Sequence, residues 1–183
     1  MEGSRRVLVG ATGSVASVKL PLICQGLLDA GAEVRVVTTR HAEHFWRELP
    51  AGVTVYRDAD EWNTWEKMGD DVLHIELRRW ADVFVIAPLD ANTLGKMAHG
   101  QCDNLLTCVA RAWDVARGTL VVAPAMNTLM WTHPVTAEQL ARLESWGIVV
   151  VPVVEKLLAC GDLGAGAMAE WSNVVRAALD AIK

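Results

Sequence analysis

Six short runs rich in valine, isoleucine and leucine recur along this chain, at residues 7–10, 33–38, 53–56, 83–87, 119–123 and 148–153. A strand with one wet face alternates apolar and polar residues, whereas a nearly continuous apolar run belongs to a parallel sheet covered on both faces. Helical periodicity fills the intervals, most clearly over residues 15–30, which Gly31 closes as a C-cap, and over residues 172–182. The pattern predicts one α/β domain over residues 1–183, with Pro88 ending the fourth strand. With 183 residues, 52% of them hydrophobic, the chain can bury roughly 70% of its unfolded surface and needs no disulfide or metal to fold.

Right-handed crossovers place every strand-to-helix turn of such a sheet at the same edge. Gly13 and Ser14, Thr38 and Thr39, Asp90, Ala91, Asn92 and Thr93, and finally Asn127 all follow apolar runs. They are expected to converge, although they lie far apart in sequence. The first turn, GATGSVA, lacks the spacing of a dinucleotide fingerprint but sets glycine, a hydroxyl and free N–H groups at a helix start, which suits a phosphate. No acidic residue ends the second run, as an NAD ribose would require, so a mononucleotide is favoured over NAD. Asp90 to Thr93 and Asn127 can equally cap the helices they open, and capping draws on the same orphan N–H groups as anion binding.

The net charge of −5 argues against nucleic acid as the main partner. No apolar run reaches the ~18 residues of a membrane span, and the N-terminus enters a strand without a signal-peptide pattern, so a cytoplasmic protein with reduced thiols is expected. The four cysteines show no CxxC pair and the five histidines no helical metal spacing, so no metal is expected. Cys24, Cys102 and Cys108 read as small buried hydrophobes. The pair Trp62 and Trp65 reads as core or interface.

Two residues stand apart. His74, in LHIELRRWAD, has Arg78 and Arg79 behind it, a setting that suits a carboxylate, and its ring can serve as a base near pH 7. Cys160 opens CGDLGAGAM, whose glycines read as a mobile flap able to carry a proton donor onto a ligand.

Four segments in this order, LHIELRRWAD, APLDANTLGK, PAMNTLMW and CGDLGAGAMAE, resemble the homo-oligomeric flavin-containing cysteine decarboxylases, a resemblance that runs from about Val7 to Glu170. The resemblance implies a flavodoxin-like/Rossmann-like three-layer domain, bound FMN, and a homotrimer with the flavin near a subunit boundary. It implies that Gly13, Ser14, Thr39, Phe45, Asp90, Ala91, Asn92 and Thr93 hold FMN, that Ala125, Met126 and Asn127 bind substrate, and that His74 and Cys160 are catalytic. Position 90 is Asp where many relatives have Ser; an ionised carboxylate would repel a flavin phosphate, so its backbone is the expected contact. The implied substrate is 4′-phospho-N-pantothenoylcysteine, a small molecule of coenzyme A biosynthesis. The implied lyase chemistry is oxidation to a thioaldehyde, decarboxylation to an enethiolate, and reduction by FMNH2. Rivals are a decarboxylase of peptide C-terminal cysteines, a flavin prenyltransferase, and a non-catalytic regulatory subunit that binds a phosphatase.

Overall fold

Residue-by-residue alternation along the strands decides the architecture. In the computed structural model, which describes residues 5–117, 119–157 and 163–182, six strands form a parallel sheet. They are β1 (Arg6–Ala11), β2 (Glu33–Thr38), β3 (Thr54–Tyr56), β4 (Val83–Leu89), β5 (Leu120–Pro124) and β6 (Val149–Val150), in the order β3-β2-β1-β4-β5-β6. Val7, Val9, Val36, Val85 and Val121 point to one face, where α1 (Leu20–Asp29) and α8 (Trp171–Asp180) cover them with Ile23, Leu27 and Val174. Leu8, Val37, Phe84, Ile86 and Val122 point to the other. There α3 (Leu73–Trp80), α4 (Ala91–Ala98), α5 (Leu105–Arg111) and α7 (Pro134–Ser145) supply Leu77, Leu94, Leu106 and Leu143. This is the expected three-layer, flavodoxin-like/Rossmann-like arrangement. The strand order reverses between β1 and β4, and such reversals open a crevice at the carboxyl ends of the strands.

Proline explains three departures from the expected bounds. Residues 15–30 form a 3₁₀ turn, Val15–Lys19, before α1, because Pro21 in the first turn of α1 has no N–H to continue one helix through it. Pro88 does not end β4; it sits inside the strand where the register with β5 shifts between Ile86 and Leu89 and no ladder N–H is required. At Pro152 the sixth run loses a donor, and β6 is shorter than expected. Gly31 has φ +79°, the left-handed conformation a helix C-cap requires.

Other elements were not anticipated from the pattern. Helix α2 (Asp58–Thr64) precedes α3, and α6 (Thr128–Trp131) follows β5. A separate antiparallel pair, β7 (Val154–Leu157) and β8 (Leu163–Ala167), stands beside the main sheet. Trp62 on α2 is 81% exposed and Trp65 49%, so neither belongs to the core. Cys24 is buried, as expected, but Cys102 is exposed and Cys108 intermediate. Among the described residues, no helix is long and apolar enough to cross a membrane.

Candidate functional site at the strand ends

A hydroxyl that the sequence did not advertise fastens the crevice. Thr12, buried just past β1, donates to Pro88 O (2.7 Å) and accepts from the Asp90 N–H (2.8 Å), tying the ends of β1 and β4 together. Neighbouring ends are joined by main chain: Thr39 N–H donates to Ala11 O (3.0 Å) and Ala125 N–H to Leu89 O (2.9 Å). A Cβ on Gly13 would lie 2.8 Å from the Cβ of His41 and 3.3 Å from an Asp90 carboxylate oxygen, so only glycine lets these turns approach. Gly13, Thr39 and Asp90 to Thr93 therefore share one edge, as expected.

Asp90 caps α4, accepting from the Thr93 N–H at 2.7 Å. That bond engages its carboxylate with the helix and leaves the first N–H groups of α4, at Ala91 and Asn92, without helical acceptors. Ser14 likewise caps the 3₁₀ turn, accepting from Ala16 N–H at 3.3 Å. The Thr39 hydroxyl is buried with no hydrogen-bond partner, an unsatisfied polar atom at the end of β2. Phe45 is half-buried on the same side, edge-on to His44 with ring centroids 5.1 Å apart. Free amides, an orphan hydroxyl and an aromatic edge fit a phosphorylated ring system.

Beside this cradle lies a groove of about 300 Å³, lined by Ser14, Lys19, Ala125, Met126, Asn127 and Lys156 among others. Asn127 caps α6 through its side-chain oxygen, which accepts from Leu129 N–H at 2.9 Å, and it also faces the groove. Capping and site roles thus coincide here. The far wall is β8. Met126 N–H donates to Gly166 O (2.9 Å), and Thr128 Oγ1 donates to Ala165 O (3.0 Å). Gly166 has φ +116°, and a Cβ there would fall 2.5 Å from Met126 O; one on Gly164 would fall 2.6 Å from Thr128 Oγ1. Close approach gives these two glycines a requirement that the sequence reading, which took them only as sources of mobility, did not include. Lys19, Lys156 and Glu170 line the groove, and Lys156 Nζ lies 3.3 Å from Glu170, so the charges sum to one positive charge despite the acidic chain. Lys19, Lys156 and Thr12 carried no sequence signal of their own. Cys160 lies outside the described residues.

His74 does not line this groove. It sits in the first turn of α3, where Nδ1 lies 2.7 Å from Glu61 Oε1 and the backbone N–H donates to Glu61 Oε2 at 3.2 Å. Arg79 is engaged elsewhere, bonding Glu76 on its own helix at 2.7 Å. Nearby, burial foremost, with the charges of Cys102 and Glu61 adding to it, pushes the Cys108 thiol up to about 11. Cys24 is pushed up to about 12 by burial. Both stay protonated at neutral pH and are poor nucleophiles. Among the described residues no group of three His, Cys, Asp or Glu side chains is placed to hold a metal.

The flavoprotein family profile matches residues 1–183. A phosphopantothenoylcysteine decarboxylase of Mus musculus is 60% identical over 171 residues, covering 93% of this chain and 83% of that protein. The solved structure of a PPC decarboxylase mutant complexed with pantothenoylaminoethenethiol matches with a TM-score of 0.91 at 55% identity, covering 94% of this chain and 95% of that one. The FMN binding protein AtHal3 matches with a TM-score of 0.87 at 56% identity, covering 94% of each chain. On this whole-length match and these identities, the chain belongs to the flavoprotein family.

Proposed function

We infer that this protein is an FMN-dependent phosphopantothenoylcysteine decarboxylase, a lyase that converts 4′-phospho-N-pantothenoylcysteine to 4′-phosphopantetheine and carbon dioxide in coenzyme A biosynthesis. The observation that carries this reading is the Asn127 groove at the strand ends, in a fold matching at TM-score 0.91 a decarboxylase complexed with pantothenoylaminoethenethiol. FMN would be held by Gly13, Ser14, Thr39, Phe45 and residues 90–93. When bound it supplies a reversible two-electron sink, so that the cysteinyl CH₂–SH passes through a thioaldehyde, loses carbon dioxide as an enethiolate, and regains the electron pair.

The chain's own residues bind, orient and move protons. Asn127, with Ala125 and Met126, holds the substrate's carboxylate and amide. Lys19 and Lys156 favour its anionic groups. His74 assists the initial oxidation, as base or by orienting the substrate, and Cys160 protonates the enethiolate at carbon. We further propose that the 183 residues act as one domain and that the protein works in the cytoplasm as a homotrimer. Supporting assembly, Val15, Val18 and Leu22 are 43–47% exposed at helical spacing beside the groove, and Trp62 on α2 and Met68 between α2 and α3 are 81% and 92% exposed. A neighbouring copy would bring a His74 to a groove that its own chain leaves without one.

The test is incubation of the yellow holoprotein with 4′-phospho-N-pantothenoylcysteine, following carbon dioxide and product mass. Release of carbon dioxide with 4′-phosphopantetheine is expected; no product from flavin-loaded protein overturns the reading. In Cys160→Ser, about one equivalent of carbon dioxide per flavin is released, the electron pair stays on the reduced flavin, and a product two hydrogens lighter is formed; further turnover requires reoxidation of the flavin by dioxygen. Normal phosphopantetheine from that variant removes Cys160 as the proton donor. Sedimentation at micromolar concentration tests the trimer, and a monomer that turns over fully refutes it.

A further inference from the structure

We propose that Glu61 is a positioning residue for His74, fixing the imidazole in the tautomer that leaves Nε2 as a hydrogen-bond acceptor for the reaction; this rests on the role of His74 given above. Both oxygens of one carboxylate are spent on one residue: Oε1 on the ring at Nδ1 (2.7 Å) and Oε2 on the backbone N–H (3.2 Å). A carboxylate only accepts, so the hydrogen of the neutral ring resides on Nδ1 and Nε2 carries the lone pair. Among the described residues none bonds Nε2, and the His74 side chain is 26% exposed, so the lone pair is not spent within the chain. The Glu61 side chain is only 15% exposed, which strengthens its hydrogen bonds.

The orienting group is itself held. Asp58, one turn earlier on α2, accepts from Leu105 N–H at the start of α5 (2.9 Å). Asp60 accepts from Arg57 N–H (2.7 Å), closing the first turn of α2. Glu61 therefore projects from a helix anchored at its N-terminus, and the clasp fixes the ring plane as well as its tautomer. A helix cap alone would need one oxygen; the second goes to the ring.

Glu61→Gln is informative because an amide offers one acceptor oxygen. If that oxygen keeps the backbone N–H, the NH₂ meets Nδ1 as a donor and the ring hydrogen moves to Nε2. In holoprotein labelled with ¹⁵N-histidine, His74 of the wild type is expected to show a protonated Nδ1 and a bare Nε2, and Glu61→Gln a mixed or inverted ring. The same variant loses about 10- to 100-fold in kcat, the range seen when outer-shell partners of metal-bound histidines are removed, with KM within about twofold. Its flavin absorbance and melting temperature report folding. Glu61→Asp keeps the carboxylate one methylene shorter and restores kcat to within about tenfold of wild type. If that rescue fails while Glu61→Asp is folded, or if the tautomer or kcat is unchanged in Glu61→Gln while His74→Asn is inactive, the Glu61 proposal is overturned and the role of His74 stands. If His74→Asn turns over at the wild-type rate, the role of His74 falls and the proposal with it.

Discussion

The groove at Asn127 and the junction of α2 with α3 are built by opposite means. The groove is walled by main chain in tight contact, with Met126 bonded to Gly166 and no room for a Cβ at Gly164 or Gly166. The junction is joined by side-chain carboxylates, Glu61 holding His74 while Asp58 anchors α2 to the Leu105 N–H of α5. A wall of glycine and backbone is damaged by adding atoms, a clasp of carboxylates by removing them.

The largest effect tests the polar exception within the groove. Asn127→Ser keeps a good helix cap but removes the amide, and it is expected to cost about 2.7–4 kcal/mol of transition-state stabilisation, roughly 10²–10³ in kcat, with little change in melting. A serine variant of normal rate would reduce Asn127 to a cap. Next in size, Gly166→Ala adds one methyl where φ is +116° and Met126 O stands 2.5 Å away. It is expected to destabilise by about 1–3 kcal/mol in urea titration and to lower substrate affinity. Wild-type stability would show that β8 is not pinned to the PAMN segment.

The smallest effect lies outside both regions. Burial raises the Asp82 carboxyl, but the hydrogen bonds and charge of Arg6 outweigh it and hold the group below its ordinary value of 3.8. A depressed carboxyl stabilises the fold above the unfolded carboxylate range, and that contribution is lost as pH falls through the lower folded value. Both side chains are about a third or more exposed, so Asp82→Asn should flatten the acid limb below about pH 4 by no more than ~1 kcal/mol. An unchanged acid limb would show that the Arg6 pair contributes nothing.

The sheet was legible because burial on both faces writes itself as unbroken apolar runs, and residues 33–38 match β2 residue for residue. The convergence of Gly13, Thr39, Asp90 and Asn127 followed from parallel topology alone. Proline limited the bounds, since its effect depends on which neighbour needs its missing N–H, as at Pro21 and Pro88. Helices α2 and α3 span only seven and eight residues, too few for a period to stand out from the chain, and of the two readings of Trp62, core or interface, its 81% exposure removes the first. Glu61 was invisible as a partner: a contact across 13 residues between two unassigned helices leaves no local pattern. Gly164 and Gly166 show the converse, where composition was plain but its cause, crowding, appears only once Met126 and Thr128 are in place.

Because β7 and β8 form their own two-stranded sheet, contributing no strand to the central six, the β8 wall of the groove is topologically an appendage. Its exposed positions can drift with little effect on the central sheet, provided the two crowded glycines and the buried Ala167 persist. A library confined to the remaining positions of that ribbon is therefore the economical route to a catalyst for different thiol acids.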